Sequence, residues 1–308
     1  MSLIDRVLAP IVPLSFGAPG LRLRRRGFTD LGRIDDRHVV ITGANSGVGR
    51  AATEALVDLG ARVTMVCRDA GRAEAARAEI ESVPGRRGRL AIELCDVARL
   101  DDVARLAARL RDPIDVVVYN AGVLPPERIE TADGFELTWA THVVGPHLLT
   151  RLLRPRLAAT SRIVLVSSGG MYLAPLGAPG VVPDPYDGVR AYALTKRAQV
   201  VLAELWADFD PSGPRVVAMH PGWVDTVAVR SSLPRFHALT RPLLRDAAGG
   251  ADTVAWLAAS PLEALDRGGF YFDRQRRSTH LVPWQRDRAY LRAELWRWCN
   301  EVTERHLR

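Results

Sequence analysis

From about residue 37 onward, short apolar runs alternate with longer stretches of helical period, and this alternation constrains the chain more than any other feature. The runs cover residues 38–42, 62–67, 90–94, 116–119, 162–166 and 216–220. Helical candidates fall near 47–59, 70–82, 99–111, 133–153 and 190–208. Continuously apolar strands separated by helices belong to parallel sheets covered on both faces, because right-handed crossovers lay helices on each side. A helix–strand unit at 246–260 and 268–273 adds a seventh strand. The expectation is a Rossmann-type doubly wound α/β sheet of about seven parallel strands. With 308 residues, 47% of them hydrophobic, and no long linker, one large domain is expected over 37–283. It is preceded by an N-terminal arm, 1–36, and followed by a helical extension, 284–308. The extension carries Tyr290, Leu291, Leu295, Trp298 and Val302 on an amphipathic pattern, suited to packing or a subunit contact.

Two stretches break the rhythm. Residues 169–189 and 223–245 are rich in Gly or Pro, and each follows the carboxyl end of a strand, where open α/β sheets bind ligands. Their apolar residues Met171, Tyr172, Leu173, Leu176, Trp223, Leu233 and Phe236 suit a lipophilic carbonyl or alcohol. After the first strand comes ITGANSGVGR, placing Gly43, Asn45, Ser46, Gly47, Val48, Gly49 and Arg50 between strand and helix. Glycines there allow a tight turn and close approach to a pyrophosphate, whose charge meets the helix N-terminus. At the tip of the second strand stands Arg68, with Asp69 beyond it. A carboxylate at that tip suits the ribose hydroxyl of NAD, whereas a guanidinium suits the 2′-phosphate of NADP. Arg68, with Arg50 as a second cation, favours NADP(H) over NAD(H). The alternative is an Arg68–Asp69 surface pair.

Of 42 lysines and arginines only one is a lysine, Lys196, four residues after Tyr192 on a predicted helix. Residues at i and i+4 share a helical face, so the ammonium is expected to stabilise a phenolate and lower the tyrosine's pKa from about 10. Taken alone, such a pair is more often a solvated surface feature.

The net charge of +7 does not point to nucleic acid, because the arginines are scattered along the chain instead of being grouped with aromatics. Cys67, Cys95 and Cys299 are widely spaced without metal-ligand spacing, so they read as reduced packing residues. In the arm, Leu3, Ile4, Val7, Leu8, Ile11, Val12 and Leu14 precede Arg22, Arg24, Arg25 and Arg26. This stretch is interrupted by Pro10 and Pro13 and is too short to span a bilayer. It also lacks a basic start and a cleavage site, which argues against a secretory signal. A cytoplasmic protein is expected, its arm either packed on the domain or in peripheral membrane contact.

TGANSGVG, NAG at 120–122, VSS at 166–168 and YALTK at 192–196 stand in the order and spacing of the short-chain dehydrogenase/reductase superfamily. VSSGGM, HPGWVDT at 220–226 and STHL at 278–281 further resemble the group of dehydrogenase/reductase SDR family member 12, related to the retinol-dehydrogenase-like reductases. The resemblance implies an NAD(P)(H)-dependent oxidoreductase with a Ser-Tyr-Lys catalytic set. Tyr192 would be the general acid, Lys196 would lower its pKa and hold the nicotinamide ribose, and Ser168 would bond the substrate oxygen. Asn120, Ala121 and Gly122 would brace the cofactor, Asp96 and Val97 would meet the adenine, and Pro221, Gly222 and Thr226 would lie against the nicotinamide end. A homodimer or homotetramer built partly on the Tyr192 helix is also implied. Alignment places His142 where the family has an asparagine that holds a proton-relay water. Imidazole can relay protons, or His142 is a satisfied core residue. A noncatalytic NADP-binding regulatory or adaptor protein remains the alternative function.

Overall fold

In a computed structural model of the chain, residues 12–282 and 285–307 are described. The arm residues Leu3, Ile4, Val7, Leu8 and Ile11 lie outside them. Eight strands form one sheet in the order β3-β2-β1-β4-β5-β6-β7-β8. They are β1 His38–Thr42, β2 Arg62–Cys67, β3 Leu90–Leu94, β4 Ile114–Tyr119, β5 Leu157–Val166, β6 Arg215–Met219, β7 Phe270–Phe272 and β8 Gln275–Arg276. The first seven pair in parallel. β8 runs antiparallel to β7 and was not anticipated. Its two-residue turn places Asp273 (φ 49°) and Arg274 (φ 57°) in the left-handed region without a glycine to announce it.

The described residues begin with α1 Val12–Phe16 and α2 Ala18–Arg25. The helices α3 Gly47–Asp58, α4 Ala70–Glu81 and α5 Leu100–Arg109 follow the first three strands. After β4 come α6 Leu137–Trp139, a π-helical turn Ala140–Val144 and α7 Gly145–Leu153, in place of the single helix expected over 133–153. After β5 comes α8 Gly188–Phe209, and after β6 come α9 Val227–Ser232, α10 Pro234–Thr240 and α11 Ala247–Ala259. The last helix is α12 Ala289–Thr303. Alternate strand residues feed two cores, as the period of two requires. Val40, Val117 and Leu165 pack with Leu148, Val200 and Leu295 on one side of the sheet. Ile41, Val118 and Val164 pack with Leu56, Ile80 and Val254 on the other.

Leu295 and Cys299 of α12 are fully buried, and the Trp296 ring lies 5.2 Å from Trp206 of α8. The chain's own last helix therefore covers part of the helix that carries Tyr192. No described helix is long and apolar enough to cross a membrane.

The arm is fastened at the β7–β8 turn. Arg24 Nη1 donates to Asp273 Oδ2 at 2.9 Å, and Arg245 Nη1 donates to Asp273 Oδ1 at 2.5 Å. All three side chains are buried, and both guanidinium carbons lie within about 5 Å of the Phe272 ring. Arg24 is thus withdrawn from any headgroup, while Arg22, Arg25 and Arg26 are exposed. Replacing one member of a buried ionic set leaves the others uncompensated. Asp273→Asn is therefore expected to cost about 3–5 kcal/mol in urea unfolding. A loss below about 1 kcal/mol, the size of a surface pair, contradicts the bracing role.

Candidate active site

The glycine turn stands between β1 and α3 as the pattern requires. A Cβ on Gly49 would come within 2.2 Å of the Gly43 carbonyl oxygen, so only glycine allows this closeness of helix to strand. Ser46 caps α3 without a side-chain hydrogen bond, leaving the first N–H groups of a twelve-residue helix for an anion. Asn45 is half-buried and Ser46 exposed, whereas Val48 packs toward the core. Thr226 lies across the turn, its methyl carbon 3.4 Å from where a Gly47 Cβ would stand. Its hydroxyl caps α9 by accepting from Val229 N–H at 3.2 Å.

The two candidate cations differ. Arg50 is held by Glu54 at 2.9 Å and Glu79 at 2.6 Å, so its charge is largely countered. Arg68 is 63% exposed, and its nearest carboxylate, Asp96, is 4.0 Å away. The Asp69 carboxylate accepts from Arg72 N–H at the start of α4 and does not pair with Arg68. Asp96 accepts from Ala98 N–H, and the Val97 carbonyl abuts α7 at Gly145.

Asn120 joins two strand ends. Its Nδ2 donates to the carbonyls of Thr42 at 3.0 Å and Gly43 at 3.1 Å, and the Thr42 hydroxyl accepts from the backbone N–H groups of Asn120 and Ala121. Thr42 was missed in the sequence because a threonine ending an apolar run carries no signal of its cross-strand partner. A Cβ on Gly122 would sit 3.3 Å from His142 Nε2 and 3.6 Å from Lys196 Nζ, so this loop borders both side chains.

Ser168, Tyr192 and Lys196 converge at the end of β5. Ser168 caps the turn Gly169–Leu173, accepting from Gly170 N–H at 3.1 Å, and it hydrogen-bonds the Tyr192 side chain. Lys196 is 2% exposed. Its Nζ donates to the Val166 carbonyl at 2.9 Å and to Gln199 Oε1 at 3.0 Å, and lies 5.5 Å from the Tyr192 ring centroid. Burial disfavours the ammonium and brings the lysine down to about 7. Burial also raises the Tyr192 phenol, opposed by the Ser168 hydrogen bond. This corrects the expectation that helical spacing alone lets the ammonium depress the tyrosine. Desolvation outweighs it, because Lys196 is turned to β5 and Gln199. Gln199, three residues along the same helix, had not been singled out.

His142 lies in the π-helical turn, wholly buried. Its Nε2 accepts from Val123 N–H at 3.0 Å, which fixes the tautomer with hydrogen on Nδ1, donated to Thr195 Oγ1 at 2.8 Å. Both nitrogens are therefore engaged by protein. Burial, reinforced by the Lys196 charge, holds the ring neutral, well below the ordinary histidine range. The arrangement is a strut between the Gly122 loop and the Tyr192 helix.

Some apolar loop residues serve the core instead of the cleft. Met171 and Leu176 are buried, while Leu173 is 80% exposed. The Tyr172 hydroxyl donates to the Ser278 carbonyl at 2.6 Å, and Trp223 packs on Phe236. Arg197, next to Lys196, pairs with buried Asp287, which also accepts from Leu176 N–H. The three cysteines are free and buried, and burial raises Cys67 to about 11 and Cys95 to about 12, so they are inert thiols.

A twelve-residue helix opening on a glycine turn, beside a buried lysine and a serine-bonded tyrosine at the strand ends, defines an α/β nucleotide-dependent oxidoreductase. The family model described as short chain dehydrogenase matches residues 37–235. The chain belongs to the short-chain dehydrogenase/reductase family, and its reaction class interconverts carbonyls and alcohols. It is 38% identical over 256 residues to dehydrogenase/reductase SDR family member 12 of Bos taurus, covering 81% of this chain and 80% of the relative. It is 32% identical over 295 residues to retinol dehydrogenase 14 of Mus musculus, covering 89% and 87%. Among solved structures, an uncharacterized protein from Mycobacterium paratuberculosis superimposes with a TM-score of 0.72 at 27% identity, over 89% of this chain and 96% of that one.

His142, His147 and His220 are all buried with depressed pKa values, His147 at about 3. At these histidines the unfolded chain binds more protons below pH 6.5, so their contribution to stability is complete above that pH and falls beneath it. From pH 7.5 to 5.5 the three histidines together are expected to cost about 4 kcal/mol in denaturant unfolding. His142→Ala, which removes the partner of Val123 N–H, should flatten this dependence by about a third. An unchanged slope in the variant contradicts a neutral buried strut.

Proposed function

We propose that this enzyme reduces a lipophilic ketone or aldehyde with NADPH, and that Ser168, Tyr192 and Lys196 perform the protein's part. The observation that carries this reading is their convergence at the end of β5, beside the Gly43–Gly49 turn. The glycine cradle with its open helix N-terminus fits a dinucleotide pyrophosphate. Asn45, Ser46, Gly47 and Val48 would border the phosphates, Asp96 and Val97 the adenine, and Pro221, Gly222 and Thr226 the nicotinamide end. NADPH, when bound, supplies the hydride. Ser168 orients the substrate oxygen and stabilises charge developing on it. Tyr192 gives that oxygen a proton. Lys196, near half-protonated at neutral pH, restores the tyrosine's proton. In this reading His142 carries no proton and keeps the Gly122 loop in register with the Tyr192 helix.

Arg68 supports NADP(H), since it is open where the 2′-phosphate would lie. The retinol named in one relative supports a lipophilic substrate. The arm's contact with the domain supports packing over membrane contact. A homo-oligomer remains in keeping with the family, with α12 in any contact made at the Tyr192 helix.

The test is NADPH and NADH oxidation against a panel of lipophilic ketones and aldehydes. Tyr192→Phe is expected to lower kcat by about 10²–10⁴. Arg68→Ala is expected to raise KM for NADPH about tenfold, the value of a charge-assisted contact, and to leave NADH unchanged. Tight NADPH binding with no carbonyl reduced above the Tyr192→Phe background would instead favour a noncatalytic nucleotide-binding protein.

A further inference from the structure

We propose that Phe16, in the N-terminal arm and outside the residues matched by the family model, is a positioning residue of the substrate cleft. Resting on the reductase reading above, this makes the arm a third substrate-side segment beside the two loops that follow β5 and β6.

Two missing Cβ atoms make room for it. A Cβ on Gly169, the residue after Ser168, would lie 2.8 Å from Phe16 Cε2. A Cβ on Gly222, the residue after Pro221, would lie 2.6 Å from the Phe16 carbonyl oxygen. That oxygen accepts from Trp223 N–H at 2.9 Å and from Arg245 Nε at 2.8 Å. The ring stands edge-on to His220 at 4.8 Å and to Trp223 at 6.3 Å, and is near parallel to Tyr172 at 6.5 Å. One residue thus touches the serine loop with its ring and fixes the Pro-Gly-Trp loop with its backbone. The residue is half-buried and stands between the loops that follow β5 and β6.

The arm cannot swing freely, because Arg24 ties it to Asp273 and, through Nη1 and Nη2, to the Ser15 carbonyl and hydroxyl next to Phe16. The phenyl ring therefore has a fixed position relative to Ser168 and presents an apolar surface suited to a bulky, nonpolar substituent on the carbonyl carbon.

The experiment uses the full chain with Phe16→Ala and Phe16→Leu, assayed with NADPH on ketones of graded apolar size. Phe16→Ala is expected to lower kcat/KM for the largest ketones by about tenfold or more, as loss of a pocket wall does, with less than about twofold change for the smallest. Phe16→Leu should recover part of the difference, and NADPH affinity should stay within about twofold of wild type. A uniform loss over all ketones together with weakened NADPH binding would reduce Phe16 to a stability residue and overturn the proposal. An unchanged size profile overturns it equally. If the wild-type chain turns over no ketone, the reductase reading fails by itself. Calorimetric binding of the same ketones with NADP⁺ then decides separately: size-dependent weakening in Phe16→Ala supports the positioning role of Phe16, and equal or absent binding overturns it.

Discussion

Desolvation of a single amine is the constraint around which the site is organised. Lys196 is the chain's only lysine and is buried beneath the end of β5. Its Nζ donates to two acceptors, the Val166 carbonyl and Gln199 Oε1, and neither is a carboxylate. An ammonium in that setting gives up its proton easily, and an arginine could not, since a guanidinium stays charged in proteins. Every other member of the 42 lysines and arginines is an arginine, so this position is the one where an amine stands in place of a guanidinium. The same low-polarity surroundings raise the Tyr192 phenol, so Ser168 is needed as a hydrogen-bond partner. A tyrosine kept protonated and a lysine near its midpoint are suited to donating a proton and then replacing it.

Burial of charge recurs on the far edge of the sheet with the opposite solution. Asp273 lies between Arg24 and Arg245, so three charges share one buried network in place of one charge left to neutralise. Such networks contribute little net stability but are costly to break, which makes them effective at fixing one arrangement. This one joins the arm, the loop after β6 and the β7–β8 turn. It sets the backbone beside Pro221 and Gly222 with the same precision that the Asn120 cross-link gives β1 and β4.

Much of this was legible in the sequence. The apolar runs located β1 and β2 to the residue, because buried parallel strands are apolar on both faces, and also β3, an edge strand only partly buried; the helix bounds agreed to within a few residues. What escaped depends on partners distant in the chain. The β8 strand follows an Asp-Arg turn whose left-handed conformation is held by Arg24, about 250 residues earlier. The π-helical turn at 140–144 interrupts a pattern that reads as one helix, and the spacing cannot tell a fourth from a fifth residue. Met171 and Leu176 look like substrate contacts by composition, yet the loop folds them into the core. The spacing of Tyr192 and Lys196 gave their proximity but not the direction of the tyrosine's shift, because i,i+4 spacing says nothing of solvent. Thr42, Gln199 and Phe16 act through contacts that no local pattern contains.

The uniqueness of Lys196 allows the central claim to be tested without a substrate. Protein grown with lysine labelled with ¹³C at Cε alone gives one labelled side-chain resonance, and its chemical shift against pH reports the amine directly. The predicted midpoint is about 7 in the free protein, with a change in the titration when NADP⁺ is added. A midpoint near 10.5, indifferent to NADP⁺, would contradict both the buried amine and its place in the cofactor site.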